Sequence, residues 1–184
     1  MSSFLDRSNY LKKIANYSKA IANGRNVDDK GVRNSFHRLN DEEELLSACA
    51  NWGHFPCVVH IGHDGRFSDN EGETPKNIIS THLYFLDILD LDSYLNRADA
   101  IEHAYDNAFS AMMQYLSFMK EDREEHGVTG ALYNFSLSGA KYDMLSGINL
   151  KLYGWYLILS DGKPEAALKF NSANFYQGVD DETF

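Results

Sequence analysis

The stretch RADAIEHAYDNAFSAMMQYLSFMKED, residues 97–122, decides how the chain is read. Ile101, Tyr105, Ala108, Phe109, Met112, Leu116 and Met119 recur at the 3–4 spacing of one helical face over five turns. Asn96 stands where a cap is needed, Asp99 and Glu102 favour the positive end of the helix dipole, and Lys120 and Arg123 favour the negative end. A face of Met and aromatic residues at this spacing is core, because such a stripe is how a helix packs on a sheet. Phe109→Ala is therefore expected to leave a cavity worth about 3–5 kcal/mol.

Around this helix the chain reads as strands. Upstream, Pro56 leads into Cys57-Val58-Val59-His60-Ile61, a short β-branched strand. His63-Asp64-Gly65 opens a polar, acidic loop to about Lys76, and Asn77 to Leu91 reads as a long strand, or as two with a bend. Downstream, Ala131 to Tyr142 and Ile148 to Leu159 alternate as strands with a turn at Ser146-Gly147, and Gly154 marks a bulge or a close backbone approach. Before them all lie a helix over residues 4–22, a polar link over 23–35, and a short helix capped by Asn40 and stopped by Gly53. Strands in runs about one dominant helix predict an α+β fold, a mostly antiparallel sheet with the long amphipathic helix on one face. The expected division is an N-terminal helix and link over 1–35, a core domain over 36–162, and a C-terminal arm over 163–184 whose Leu168, Phe170, Phe175, Tyr176 and Phe184 want a surface to cover.

Composition narrows the function. In 184 residues, 17 Lys and Arg face 27 Asp and Glu, a formal charge of −10, so a generic phosphate-binding surface is excluded. Hydrophobic residues make up 43%, enough for a core without disulfide or metal staples. Cys49 and Cys57 are expected as reduced, buried thiols of an intracellular protein. No signal peptide is read at the N-terminus. The most apolar stretch, Leu83 to Leu91, is broken by Asp87 and Asp90, so a soluble protein with no membrane contact is expected.

Chemistry-bearing patterns are few. Cys57-x-x-His60-x-x-His63-Asp64, with His54 upstream, has zinc-ligand residue types, and its His-Asp pair resembles the HD-type phosphohydrolases. On an unbroken strand His60 and His63 point to opposite faces, which argues against a shared metal. Gly-x-Ser-x-Gly, Gly-x-x-x-x-Gly-Lys-[Ser/Thr] and Gly-x-Gly-x-x-Gly are absent. Asp87, Asp90 and Asp92 alternate and so share a face, either a pore-facing surface or a polar strand end meeting water. Glu42 to Glu44 read as partners of a helix N-terminus. No catalytic, cofactor-binding or metal-ligating residue is assigned, and no enzyme activity or cofactor is expected.

The order of segments from Phe36 to Ser160 resembles the tail terminator (tail-completion) proteins of long-tailed bacteriophages. The resemblance rests on a helix leading into His54-Phe55-Pro56-Cys57-Val58-Val59, a long strand with an acidic end over Ile78 to Asp92, and a helix opening Ala98-Asp99-Ala100-Ile101-Glu102. The helix continues Tyr105-Asp106-x-Ala108-Phe109, and a hairpin follows whose last strand holds Leu152-Tyr153-Gly154-Trp155-Tyr156-Leu157. The resemblance implies a non-enzymatic virion protein of the phage tail and neck, assembled in the host cytoplasm. Such proteins form a ring, usually of six subunits, on the head-proximal end of the tail tube. The ring ends tube polymerisation and joins the tail to the neck, so its partners are itself, the tube protein and a neck or head-completion protein. DNA would pass an acidic lumen without specific binding. Strands 78–91 and 148–159 would offer edges for subunit contacts, and the 62–76 loop and the C-terminal arm would reach neighbours. The alternatives are another neck ring or adaptor, a small metal-dependent hydrolase using His60, His63 and Asp64, and a binding domain of cellular origin.

Overall fold

The computed structural model describes residues 4–28, 31–68, 76–126, 139–148 and 151–164. Helix α1 (Phe4–Tyr17) is followed by a small antiparallel pair, β1 (Asn26–Asp28) and β2 (Gly31–Val32), and then by strand β3 (Phe36–Leu39). Helix α2 (Glu43–Ala48) tightens into a 3₁₀ turn over Cys49–Asn51. Strands β4 (Cys57–Ser68) and β5 (Lys76–Ile88), helix α3 (Arg97–His126), and strands β6 (Lys141–Ile148) and β7 (Leu152–Pro164) complete the described order. The protein is α+β, its larger sheet ordered β3-β4-β5-β7-β6, with β3 parallel to β4 and every other pair antiparallel.

Local chemistry explains the ends of these elements. Asn96 Oδ1 accepts from Asp99 N at 2.9 Å while Asn96 Nδ2 donates to the Asp99 carboxylate at 2.8 Å, a reciprocal cap that starts α3. At α2 the cap falls one residue later than expected. Asp41 Oδ1 accepts from Glu44 N at 2.9 Å, and Asn40 instead donates its amides to the Glu44 carboxylate. The 23–35 link is ordered by Asn23, whose Oδ1 accepts from both Ser35 N and Phe36 N at 3.0 Å and so launches β3.

Two strand boundaries differ from the sequence reading. Strand β4 runs on to Ser68, through the segment expected to be a loop from His63. Gly62, at φ +49°, is the extra residue of a bulge between Ile61 and His63, after which Asp64, Gly65 and Arg66 pair with β5. Ser146-Gly147 is likewise no turn: it lies inside β6, where the register slips between Leu145 and Ile148, and β7 begins only at Leu152. A positive-φ glycine serves a bulge as well as a turn, so the residue type alone does not separate them. The expected strand over 131–142 lies outside the described residues up to 138, as do residues 69–75 of the loop and 165–184 of the arm.

The sheet is covered on both faces. On one, Val58, Leu83, Phe85, Leu157 and Leu159 pack with Leu11, Ile14 and Ile21 of the α1 region and with Ala108, Ala111, Met112, Tyr115 and Met119 of α3. Tyr115 donates to Leu11 O at 2.9 Å, and Gln114 Oε1 accepts from Ser18 Oγ and Ala20 N, tying α1 to α3. On the other face Leu45 and Cys49 cover Cys57, Val59, Ile61, Tyr84, Leu86 and Leu152. Both cysteines are free and buried.

The stripe read from α3 is rotated in the structure. Its buried line is Ala100, Ala104, Ala108, Ala111, Met112, Tyr115 and Met119, whereas Ile101, Tyr105, Phe109 and Leu116 lie half-buried on its flank. Small side chains let the helix backbone approach the sheet, and the bulky ones pack sideways, Phe109 against Tyr142 and Trp155. Met112→Ala is therefore expected to cost about 2–5 kcal/mol in urea denaturation, and Phe109→Ala less than the same change at a sealed site. Equal losses at the two positions would contradict this placement of the helix.

Gly154 makes the close approach anticipated for it. A Cβ there would lie 1.9 Å from the Phe85 carbonyl oxygen and 3.0 Å from Leu86 Cα, both main-chain atoms of the adjacent strand. Backbone cannot swing aside as a side chain can, so Gly154→Ala should cost at least about 3 kcal/mol or abolish folding. A near-wild-type denaturation midpoint would show the pairing of β5 with β7 to be misplaced.

Candidate functional site

Alternation along β5 directs Leu83 and Phe85 toward α3, and the next residue on that side is Asp87. There the helix presents Ala100 and Ala104, whose short side chains help leave a cleft of about 350 Å³. Its other walls are His103 and Asn107 of α3, the segment Gly53–Pro56, Arg33, and Asp90 and Tyr94 from the turn between β5 and α3. Most of its lining is polar, unlike the two apolar cores.

Asp87 is 7% exposed. Asn107 Nδ2 donates to its Oδ2 at 2.7 Å and Ile88 N donates to its Oδ1 at 2.8 Å. Burial pushes its carboxyl above the usual carboxylate value; these hydrogen bonds, His103 and Arg33 pull the other way and offset only part of it. Asn107 Nδ2 also lies 3.0 Å from His103 Nδ1. An amide nitrogen only donates, so Nδ1 stands as the acceptor in that contact. The His103 ring rests against Tyr94, centroids 4.8 Å apart. Arg33 Nη2 donates to Phe55 O at 2.5 Å, while its buried Nε has no acceptor among the described residues. Asp90 Oδ1 accepts from Asp92 N and Ser93 N at 3.1 and 3.2 Å, and hydrogen bonding to Ser93 holds its carboxyl below the usual range.

The residues singled out in the sequence are scattered by the fold. Asp87, Asp90 and Asp92 do not share a face: β5 ends at Ile88, Asp87 turns inward, and Asp90 closes a bend whose amides it caps. His54 lines the cleft, Cys57 belongs to the core under α2, and His60 belongs to the opposite core. His60 is 0% exposed with Nδ1 3.3 Å from Ser8 Oγ, so no substrate in solvent reaches it. The bulge at Gly62 adds one residue, placing His60 opposite Leu83 and His63 opposite Thr81, two positions apart on β5. The backbone register there is thus not that of the unbroken strand assumed for the two histidines. Asp64 pairs with Ser80 further along. Among the described residues no three His, Cys, Asp or Glu side chains are gathered as a metal site requires. Glu42 accepts a hydrogen bond from the Tyr84 hydroxyl, so one of the acidic residues at α2 is drawn onto the sheet. Strands β5 and β7 are both interior, flanked by β4 and β6, so neither offers the free edge expected of it.

Arg33, His103 and Asn107 carry the cleft's chemistry without a motif to reveal them. Their one visible signal is the spacing of His103 and Asn107, four residues apart on one helical flank. No family model, no curated protein and no solved structure matches this chain.

The Gly53–Pro56 wall is held from behind by His37 of β3, whose ring stacks on Trp52 with centroids 3.9 Å apart. Burial, with a smaller contribution from His54, lowers His37 from 6.5 to about 4. A histidine whose folded value lies below its unfolded one stabilises the fold fully above the unfolded value and loses that contribution as pH falls toward the folded one. Stability should therefore decline from pH 6.5 toward 4, and His37→Phe, which keeps an aromatic ring on Trp52, should flatten that part of the decline. Identical pH profiles for the two proteins in chemical denaturation would remove His37 as the cause.

Proposed function

We propose that this chain is an architectural, ring-forming protein of the tail terminator kind. It would sit at the head-proximal end of a phage tail tube, end the tube's polymerisation and join it to the neck. The observation that carries the reading is a pair of unlike apolar surfaces on different elements. The first joins Tyr142 and Met144 of β6 to Phe109 and Met113 of α3: Tyr142 is 57% exposed and meets the Phe109 ring, and Met113 follows Phe109 by one helical turn. The second comprises Ile88, Leu91 and Leu95 at the turn between β5 and α3, where Leu95 is fully exposed. A ring is built from heterologous contacts, in which one surface of each subunit meets a different surface of the next, and closure of the rotation ends the series. Exposed large apolar groups gathered in two places are what such contacts need. The net charge of −10 suits a conduit that DNA slides through.

Mass measurement in solution tests this directly. The wild-type chain is expected as a closed oligomer that binds the ends of purified tail tubes. Tyr142→Lys with Met113→Lys should disable the first surface, and Leu91→Lys with Leu95→Lys the second, each changing stability by only about 0.5 kcal/mol per exposed site. Each variant alone should be monomeric. Mixed in equal amounts they should form dimers and go no further, because each pair retains a single intact interface. A wild-type protein that stays monomeric and leaves tube ends unbound would overturn the proposal.

A further inference from the structure

The cleft beside Asp87 borders the second apolar surface, with Ile88 belonging to both, and its chemistry points to a ligand. Two carboxylates, Asp87 and Asp90, line the cleft against one guanidinium, Arg33. Asp87 uses one hydrogen bond on each oxygen, which leaves further acceptor capacity in a buried carboxylate. A bare metal ion is disfavoured, because the donors needed to surround it are not gathered among the described residues. An organic cation needs fewer donors, and its N–H groups are directional. The volume of about 350 Å³ falls in the range of small-ligand sites. The rings of Tyr94 and His103, tilted by 42° to one another, stand at the rim and offer aromatic faces on which a planar guanidinium can stack, which suits it better than a compact ammonium.

We infer that this cleft receives an arginine side chain presented by another polypeptide. The guanidinium would lie between Asp87 and Asp90 against Tyr94 and His103, and the rest of the peptide would meet the exposed Ile88 and Leu91 beside the cleft. The inference does not require the ring: it describes a socket for one basic side chain, whatever the oligomeric state.

Titration of the full-length protein with N-acetyl-arginine N-methylamide tests it, read by the side-chain amide resonance of Asn107, which touches both Asp87 and His103. A saturable shift is expected with this probe, and none with the N-acetyl-norleucine analogue, which keeps the backbone and loses the charge. Asp90→Asn retains the acceptor that caps the turn but removes the charge, and should weaken binding about tenfold or more. Asp87→Asn should do the same or worse; because Asp90 is exposed, its variant decides the matter even if the buried change disturbs folding. Equal shifts with both probes, no shift with either, or unchanged affinity in Asp90→Asn would each overturn the proposal. Tighter binding of free arginine than of the capped probe would overturn the polypeptide source.

Discussion

Leu83, Tyr84, Phe85 and Leu86 form the middle of a strand that is hydrogen-bonded on both edges and buried on both faces. Their backbone groups pair with β4 on one side and β7 on the other, so they need no water, and their side chains alternate between two cores. Every other described helix and strand of the main sheet is placed relative to β5. Helices α1 and α3 take the face of Leu83 and Phe85, α2 takes the face of Tyr84 and Leu86, and β7 approaches so closely that only a glycine fits at 154. A strand in this position tolerates little change, since a register slip of one residue would exchange its two faces.

The cleft is a consequence of the same packing. Alanines on α3 bring the helix close to the sheet, and at its first turns two of them stand opposite Asp87 with nothing to fill the gap. The inward alternation of β5 has by then run past the core, so it delivers a carboxylate where a leucine would otherwise sit. Asn107, one turn beyond His103, links Asp87 to His103 through its side-chain amide. Polar chemistry is concentrated where the helix leaves the sheet, and the packed remainder of the domain holds it rigid.

Self-association and the cleft make separate demands on the surface. Association calls for exposed apolar groups, which the molecule places on β6 with the flank of α3 and again at the turn after β5. The cleft lies between that turn and the wall steadied by the His37–Trp52 stack, so a polypeptide entering it would meet the second apolar surface on its way. On the proposed reading an acidic chain with these features would be joined by neighbours, in the setting that its tail-terminator-like segment order implies.

Periodicity and capping chemistry in the chain by itself determined the α+β class, the long helix from Arg97 with its Asn96 cap, the close approach at Gly154 and the burial of both cysteines, because each follows from residues near one another in sequence. Only the tertiary structure decided which strands are interior, which flank of α3 is sealed, and which side chains meet at Asp87. A loop from His63 and a turn at Ser146-Gly147 are the local readings; pairing with a distant strand makes Gly62 and Gly147 parts of bulged strands. Alanines carry no bulk by which a periodic pattern would announce the tightest contact. Arg33, His54, Asp87 and His103 are far apart along the chain, and nothing local records that folding will bring them to one wall.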